Sequence, residues 1–392
     1  MKAKRVFLIV LDSVGAGEMP DSASFGDIGV NTLRSVYNSG KLCVPNLIAM
    51  GLGNIDGLSF LGKTDNPSAA VARMSERSMG KDTTVGHWEI AGYVSASPLP
   101  TFPNGFPEEI LEKIRRASGR ELLCNSTYSG TAVIADYGKE AKEKGALIIY
   151  TSADSVLQIA AHVGVVPLEE LYRICETLRA ELTGEKDGVG RIIARPFVDG
   201  EDGGFKRTAD RRDYSLAPPA VLLPEALKTA GKDSISVGKI SDIFAGVGFT
   251  EAVRTHGNDE GMSVTSEYIR KDFEGLCFVN LVDFDMKYGH RNDVDGYAAA
   301  MSEFDRGLGR LLPKLRDNDV LMITADHGCD PETESTDHSR EYTPLLIYGD
   351  KVESVNLRTR SSFADIGKTV TDIFGIDSKA SGESFKDAIL KE

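Results

Sequence analysis

The sequence has few cysteines and no long hydrophobic run. Five cysteines are scattered through 392 residues, and no two of them form a CxxC pair. An odd number of thiols without a pattern argues against a disulfide framework and favours a reducing compartment. No apolar run approaches the roughly 20 residues that a membrane-spanning helix needs. We therefore expect a soluble, cytoplasmic protein that does not act in a membrane.

Basic residues are also scarce relative to acidic ones. The chain has 45 Lys and Arg against 59 Asp and Glu, which gives a net charge of -14 at pH 7. This excess of negative charge argues against nucleic acid or an anionic membrane surface as a partner. It does not exclude a phosphorylated small molecule, because metal ions and local Arg or Lys side chains determine the field within a site.

The N-terminal segment MKAKRVFLIVLDSVG has the basic and apolar residues of a secretory signal peptide. Its apolar run is too short for one, and Asp12 interrupts the run where a cleavage site requires small residues. We interpret residues 6–11 as a buried strand instead. With 41% hydrophobic and 27% charged residues, the chain has the composition of a globular protein. Its length suits about two or three domains.

Several apolar runs predict buried strands that end in polar residues. These runs are residues 6–11, 277–284, 320–325 and 343–349. The first three are followed by candidate metal ligands: Asp12, then Asp285, then Asp326 with His327. Because open α/β sheets bind ligands at the carboxyl ends of their strands, we expect these side chains to meet. Helical patterns such as residues 297–317 alternate with the strands, which predicts an α/β fold with a doubly wound, mostly parallel sheet.

The middle of the chain carries none of these motifs. Residues 96–215 are bounded by two proline-rich, turn-like segments and contain their own helical and strand patterns. We predict that this stretch is an inserted, smaller α+β cap domain. Residues 1–95 and 216–392 would then form one discontinuous catalytic core.

Carboxylates and imidazoles in three motifs predict a metal site. The candidate ligands are Asp12, Asp285, His290, Asp326, His327 and His338. Such a set suits Zn, Mn or Fe. Six ligands are too many for one tetrahedral ion and about right for two. Enzymes with two metal ions use them to stabilise the attacking and the leaving oxygen of a phosphoryl displacement. Some alternatives stay open: Asp12 also suits a polar strand cap, and Asp283 could replace or support Asp285. Asp330 and Asp337 suit solvated loop charges or supporting positions.

The segment GKDTTVGHWE, residues 80–89, contains the candidate nucleophile. A threonine hydroxyl needs a metal or a base to act as one. At the start of a helix it would also lie near backbone N–H groups that bind phosphate. The same pattern suits ordinary helix capping by Asp82 or Thr83. Spacing alone does not separate Thr83 from Thr84.

Four motifs together resemble one known family. LDSVGAGEMPD, GKDTTVGHWE, VDFDMKYGHRND and TADHGCDP with TDHSRE resemble the phosphopentomutases of the alkaline phosphatase superfamily, which also contains the cofactor-independent phosphoglycerate mutases. The match spans both ends of the chain, and the single insertion is similar too. The resemblance implies an alkaline-phosphatase-like core and a role in nucleoside catabolism.

The resemblance also implies two Mn²⁺ ions, with Zn²⁺ or another divalent cation as alternatives. It implies the following sites: one ion at Asp12, Asp326, His327 and a threonine oxygen, and the other at Asp285, His290 and His338. In the relatives the nucleophile lies three residues before the Gly of a GH pair, which here selects Thr83. The active enzyme would carry phosphothreonine, primed by glucose 1,6-bisphosphate or pentose 1,5-bisphosphate.

The implied substrates are the 1-phosphate and 5-phosphate of ribose or deoxyribose. The implied contacts are Ser152, Asp154 and Val156 for the sugar and Arg191, Arg207 and Lys239 for phosphate, and His87 is a further predicted substrate-binding residue. Closure of the cap would exclude water from the phosphoenzyme. We expect a monomer.

Three other functions fit parts of the pattern. A phosphoglycerate mutase would be longer, with a serine nucleophile and a larger insertion. A metal-dependent phosphomonoesterase or sulfatase would share the metal site, although the GHWE and YGHRND motifs argue against it. A binding protein without turnover would require that a ligand position be replaced, and none is.

Overall fold

Two β-sheets organise the chain in a computed structural model that describes residues 3–152, 154–184, 186–201 and 203–390. The strands are β1 (Arg5–Leu11), β2 (Ala70–Met74), β3 (Leu122–Thr127), β4 (Leu147–Thr151), β5 (Val156–His162), β6 (Arg191–Asp199), β7 (Phe205–Arg207), β8 (Arg212–Ser215), β9 (Asp233–Val237), β10 (Glu251–Val253), β11 (Gly275–Leu281), β12 (Asp319–Thr324), β13 (Thr343–Tyr348) and β14 (Asn356–Arg360).

Twelve α-helices accompany these strands within the described residues. They are α1 (Thr32–Asn38), α2 (Pro45–Met50), α3 (Thr83–Ile90), α4 (Glu108–Ser118), α5 (Ala132–Lys144), α6 (Leu168–Glu181), α7 (Leu223–Thr229), α8 (Ile240–Ile243), α9 (Asn258–Arg270), α10 (Val294–Leu311), α11 (Ala364–Phe374) and α12 (Lys386–Ile389). In the same part of the chain, no helix is both long and apolar enough to cross a bilayer.

The chain divides into two compact units. One consists of the chain up to Ala96 and from Pro218 onward, and the other is Ser97–Ala217. The first contains the larger sheet, with strand order β10-β9-β11-β1-β12-β13-β2-β14. The first five strands in this order, from β10 at the edge to β12, are parallel to one another. Strand β13 runs antiparallel to both of its neighbours, β12 and β2. The predicted α/β class with a mostly parallel sheet is confirmed.

The three central strands of the larger sheet end level with one another. Leu11 pairs with Leu281, and Val10 pairs with Thr324, so the carboxyl ends of β1, β11 and β12 lie side by side. Every residue of these strands is buried, which is why they read as continuous apolar runs. The polar residues that follow them are thereby brought to one edge of the sheet.

Helix α10 packs against one face of this sheet. Its buried positions include Tyr297, Met301, Phe304 and Leu308, which recur at helical spacing. The predicted helix 297–317 is wrong at both ends: Asp293 caps α10 by accepting from the backbone N–H of Gly296, and the α-helix ends at Leu311, ahead of a 3-10 turn that contains a proline. Proline lacks the N–H that would continue the helix.

The second unit has its own sheet and its own core. The order of its strands is β3-β4-β5-β6-β7, and β8 also pairs with β6. Helices α4 and α6 pack in one apolar cluster, and α5 packs in another. This unit therefore buries enough apolar surface to form a core without contributions from the first unit.

Candidate metal centre

Three predicted ligands meet at the ends of β1 and β12. The candidate ligand atoms of Asp12, Asp326 and His327 all lie within 4.8 Å of one another. Nε2 of His327 is 3.4 Å from Oδ1 of Asp12 and 3.2 Å from Oδ2 of Asp326. All three side chains are buried. We call these residues the first ligand group.

Three further predicted ligands form a second ligand group, Asp285, His290 and His338. Nε2 of His290 lies 3.3 Å from Oδ2 of Asp285, and Nε2 of His338 lies 3.3 Å from Oδ1. The two Nε2 atoms are 3.1 Å apart. Nδ1 of His290 donates to the carbonyl of Thr336 at 2.6 Å, so Nε2 is the ring nitrogen left for a metal.

The two ligand groups are adjacent. Asp285, His327 and His338 also have ligand atoms within 4.8 Å of one another, and the rings of His327 and His338 stack with centroids 3.9 Å apart. The two groups together would suit a pair of neighbouring ions, as two-metal phosphoryl-transfer sites require.

A backbone irregularity positions Asp285. The prediction of a strand over residues 277–284 is wrong at its end, because β11 stops at Leu281 and a π-helical turn follows at Phe284–Tyr288. The backbone N–H of Asp283 donates to Oδ1 of Asn258, and Oδ2 of Asp283 accepts from the N–H of Asn258. This reciprocal pair draws the chain out of the ladder. Asp283 therefore supports the turn, and Asp285 joins the ligands.

Thr83 begins α3 beside the first ligand group. Its Oγ1 shares a 3.2 Å hydrogen bond with Nε2 of His327. Asp82 is the N-cap, since its carboxylate accepts from the N–H groups of Thr84 and Val85. The capping interpretation and the nucleophile interpretation are thus compatible, because they concern different residues. It is the hydroxyl of Thr83 that contacts the first ligand group.

A glycine lets α3 approach the ligands. A Cβ atom on Gly86 would lie 2.3 Å from the carbonyl oxygen of Asp326. No side chain fits at that distance, so the helix packs against the Asp326 backbone only because residue 86 is glycine.

His87 lies behind the ligands. Its ring is fully buried, with Nδ1 2.8 Å from the carbonyl of Thr83 and 3.1 Å from Oδ2 of Asp326. Its Nε2 is 3.4 Å from the side-chain nitrogen of Asn280. Both ring nitrogens face protein groups, so the prediction of His87 as a substrate contact does not agree with its position. Its place is that of a residue that orients Asp326 and the start of α3.

Asn280 contacts a candidate ligand, and the sequence analysis missed it. Its side-chain nitrogen donates to Oδ2 of Asp12 at 2.7 Å, inside the protein core. The signal was available, since Asn280 is the one polar residue in the apolar run CFVNLV. A polar residue in a strand that is buried on both faces requires a partner.

Arg340 and Glu341, which lie shortly after His338, form buried hydrogen-bond networks that the sequence did not indicate. Arg340 donates to the carbonyls of Glu76, Ser78 and Gly80, and so holds the segment that leads to Thr83. The carboxylate of Glu341 accepts hydrogen bonds from the N–H of Gly17, the hydroxyl of Thr32 and the hydroxyl of Ser339. Both networks fix the loops around the ligand groups.

The charges of the ligands are strongly coupled. Burial opposes ionisation of Asp285, but His338 and His290 beside it bring its pKa well below the usual range. Burial likewise disfavours a charged His327, yet the carboxylates of Asp326 and Asp12 raise its pKa well above the ordinary value. Burial and the neighbouring Asp326 raise the pKa of Asp12. The site thus concentrates negative charge that requires positive partners.

The residues fit divalent cations. Among the described residues, Oδ1 of Asp12, Oδ1 of Asp285 and Oδ2 of Asp326 have no partner in hydrogen-bonding geometry, although all three atoms are buried. Ring nitrogens of His87, His327 and His338 lie close to these oxygens, but not in hydrogen-bonding geometry. Buried carboxylate oxygens without hydrogen bonds are costly, and coordination to a cation would satisfy them.

The predicted sugar and phosphate contacts lie mostly in the second unit. Asp154 and Arg191 are near each other, with Oδ2 and Nη2 3.7 Å apart, and Val156 pairs with Arg191 between β5 and β6. The hydroxyl of Ser152 accepts from the N–H of Asp154 at 3.4 Å. Arg207, on β7, donates instead to the hydroxyl of Thr131.

Lys239 belongs to the first unit, directly before α8. Its Nζ is exposed and lies 3.8 Å from the sulfur of Met286. The structure thus brings together Ser152, Asp154, Val156 and Arg191, while Arg207 and Lys239 belong to other parts of the fold.

Comparison with known proteins places the chain in a family. Residues 4–378 match the Metalloenzyme superfamily. A phosphopentomutase of Lachnoclostridium phytofermentans is 58% identical over 391 residues, which cover 99% of this chain and 100% of that relative. The chain belongs to the phosphopentomutase family. Another phosphopentomutase, of Acetivibrio thermocellus, is 54% identical and covers 99% of this chain and 100% of its own length. Membership in the phosphopentomutase family makes the chain a metal-binding isomerase.

A solved structure shares the fold of this phosphopentomutase family member. A phosphoglycerate mutase of Leishmania mexicana aligns with a TM-score of 0.50 at 11% identity, covering 100% of this chain and 98% of that one. At that identity the likeness shows the fold alone, in agreement with the predicted alkaline-phosphatase-like core.

Proposed function

We propose that this member of the phosphopentomutase family interconverts the 1-phosphate and 5-phosphate of ribose or deoxyribose through a phosphorylated Thr83. The position of the Thr83 hydroxyl carries the proposal. Thr83 is the first residue of α3, and its Oγ1 lies 3.2 Å from Nε2 of His327, a member of the first ligand group. A hydroxyl there is suited to accept and release a phosphoryl group.

Two divalent cations complete the proposed site. Asp12, Asp326, His327 and Thr83 would hold one, and the second ligand group would hold the other. Mn²⁺ is our proposal for both ions, and Zn²⁺ suits the same donors. When bound, such cations neutralise the charge on the phosphoryl oxygens during an in-line transfer.

The proposed cycle returns Thr83 to its starting state. The free hydroxyl of a pentose phosphate attacks the phosphorus on Thr83, and the bond from phosphorus to Oγ1 breaks. The proton of the sugar hydroxyl ends on Oγ1, which restores the Thr83 hydroxyl. The product is a pentose 1,5-bisphosphate. Its other phosphoryl group then passes to Oγ1 of Thr83 and releases the isomeric monophosphate. Glucose 1,6-bisphosphate or pentose 1,5-bisphosphate would supply the first phosphoryl group.

Our proposed substrate contacts are five residues of the second unit and Lys239 of the first. Ser152, Asp154 and Val156 would bind the sugar, and Arg191 would bind phosphate, together with Arg207 and Lys239. The 3.7 Å separation of Asp154 and Arg191 supports this proposal, because a carboxylate for ribose hydroxyls lies beside a guanidinium for phosphate. We also propose that the protein acts as a cytoplasmic monomer on small sugar phosphates, without nucleic acid.

The decisive experiment is ³¹P NMR of the protein with ribose 1-phosphate, Mn²⁺ and a trace of glucose 1,6-bisphosphate. We expect ribose 5-phosphate with little inorganic phosphate. Thr83→Ala should abolish turnover, whereas the matched variant Thr84→Ala should retain most of it. Dominant release of inorganic phosphate would replace the mutase by a metal-dependent phosphomonoesterase. Turnover by Thr83→Ala would contradict the proposed nucleophile.

A further inference from the structure

A cysteine thiol lies among the residues of the second ligand group. Cys329 follows His327 by two positions and is buried. The candidate ligand atoms of Asp285, His290 and Cys329 all lie within 4.8 Å of one another. Within the described part of the chain, no other cysteine belongs to such a group.

The backbone holds this thiol in place. The N–H of Cys329 donates to the hydroxyl of Thr32 at 3.2 Å, and its Sγ lies 3.5 Å from the carbonyl oxygen of Asp337 and also interacts with the His290 side chain. A Cβ on Gly289 would lie 2.9 Å from Sγ of Cys329. The turn that carries His290 therefore approaches the thiol closely because residue 289 is glycine.

The neighbouring ligands face the same point. Oδ1 of Asp285 is buried and has no hydrogen-bond partner among the described residues. His290 donates through Nδ1 to a backbone carbonyl, which leaves its Nε2 for coordination. A carboxylate oxygen, an imidazole nitrogen and a sulfur are thus available together. Thiolate ligands favour soft cations such as Zn²⁺ over Mn²⁺, which prefers oxygen ligands.

We propose that Cys329 is an additional metal ligand, which with Asp285 and His290 binds a thiophilic divalent cation such as Zn²⁺. The inference deepens the proposed function, because it concerns the position of the second cation. The thiol proton passes to the solvent as the bond from sulfur to metal forms. Mn²⁺ uses the carboxylate and imidazoles of the second ligand group and leaves the thiol protonated, so the metal determines the ligand set.

Cobalt substitution tests this proposal directly. Metal-free protein is titrated with Co²⁺, which gives a near-ultraviolet charge-transfer band when a thiolate binds it and only weaker visible bands with oxygen and nitrogen ligands. We expect the charge-transfer band in the unmodified protein and its loss in Cys329→Ser. Cys43→Ser, which removes an exposed thiol, is the matched control and should keep the band.

A second measurement separates ligation from structural damage. Even a supporting residue of a metal site typically changes metal affinity by about 10–100-fold, so we expect Cys329→Ser to weaken Zn²⁺ binding at least about tenfold and Mn²⁺ binding much less. Visible cobalt bands without a charge-transfer band, a band that persists in Cys329→Ser, or equal losses for both metals would overturn the proposal. Absence of ribose 5-phosphate in the NMR experiment, with the charge-transfer band present, would refute the mutase and leave this ligand standing.

Discussion

His327 is the residue that connects the two ligand groups. Its Nε2 lies near Asp12 and Asp326, while its ring stacks on His338 of the second group. Two carboxylates around one imidazole explain why its pKa is raised despite burial, which opposes the charge. The charge of this one side chain therefore affects both ligand groups. Asn280 contacts the carboxylate of Asp12, and His87 contacts that of Asp326.

Asn280→Ala tests this support. The variant removes the 2.7 Å hydrogen bond to Oδ2 of Asp12 and leaves that oxygen buried without its partner. We expect affinity for Mn²⁺ to fall about 10–100-fold, as is typical for residues that orient metal ligands. Isothermal titration calorimetry measures this change, and Asn38→Ala on the surface is the control. Unchanged affinity in Asn280→Ala would mean that Asp12 needs no such support.

Glu341 predicts a dependence of stability on pH. Burial raises the pKa of Glu341 to about 7, whereas an ordinary glutamate has a pKa near 4.5. Hydrogen bonds from Thr32, Gly17 and Ser339 lower the pKa of Glu341, but their effect is smaller than that of burial. Between these values the unfolded chain releases the proton and the folded chain keeps it. The free energy of unfolding therefore falls as pH rises from about 4.5 to about 7, by roughly 3 kcal/mol.

Glu341→Gln should lack this fall. Urea titrations give the free energy of unfolding of the variant and of the unmodified protein at each pH. The value for the variant minus that for the unmodified protein should increase by roughly 3 kcal/mol as pH rises from about 4.5 to about 7. Glu334→Gln, at an exposed position, is the control. Parallel curves for Glu341→Gln and the unmodified protein would show that Glu341 titrates normally.

Helix α3 is the element that brings the proposed nucleophile to the ligands. It carries Thr83 at its first position, and Asp82 caps it. The segment before it is held by Arg340, whose guanidinium is buried and paired with the carboxylate of Glu76 at 2.8 Å. Its packing on the Asp326 backbone depends on Gly86. The orientation of the Thr83 hydroxyl is therefore a property of the whole element.

A pair of glycine substitutions tests the role of α3. Gly86→Ala would place a methyl group 2.3 Å from the carbonyl oxygen of Asp326. In Gly307→Ala, on α10, the nearest atom to the new methyl group would be the flexible end of Met262 at 3.3 Å. We expect Gly86→Ala to lower the free energy of unfolding by about 1–3 kcal/mol, measured by urea denaturation. Gly307→Ala should raise it by about 0.5–1 kcal/mol, because alanine favours a helix over glycine. Similar effects of both variants would contradict the close packing of α3.

The sequence predicted the elements better than their ends. Buried strands β1 and β12 read directly as apolar runs, and the residues predicted as ligands directly follow them. The end of β11 was missed because Asn258, far from it in sequence, pairs with Asp283 and pulls it out of the ladder. Arg340 was missed for the same reason, since its partners lie more than 250 residues away. Such contacts leave no local pattern in one sequence.

At the scale of the whole molecule, the two units have separate cores. The large cluster of the first unit includes β1, β11 and β12, and the second unit has two clusters of its own. All six candidate metal ligands belong to the first unit. Metal binding is therefore linked to the stability of the first unit in particular.

Hydrogen exchange should reveal this difference. At a concentration of free Mn²⁺ about 100-fold above the dissociation constant, binding adds about 2.7 kcal/mol to the stability of the state that binds it. We expect stronger protection of amides in β1, β11 and β12, and unchanged protection in α4 and α6, when Mn²⁺ replaces a chelator. An equal rise in both units would mean that they unfold as one.

The hydrogen bond from the N–H of Ser13 to Asp326 joins residues 313 positions apart. During synthesis, β1 leaves the ribosome long before its partner strands, β11 and β12. The strands of the second unit pair with one another and are all synthesised before β11. A growing chain therefore carries an unpaired, apolar β1 until β11 has been synthesised, and chaperones would shield such a segment. The first ligand group is complete only after Asp326 and His327 have been translated.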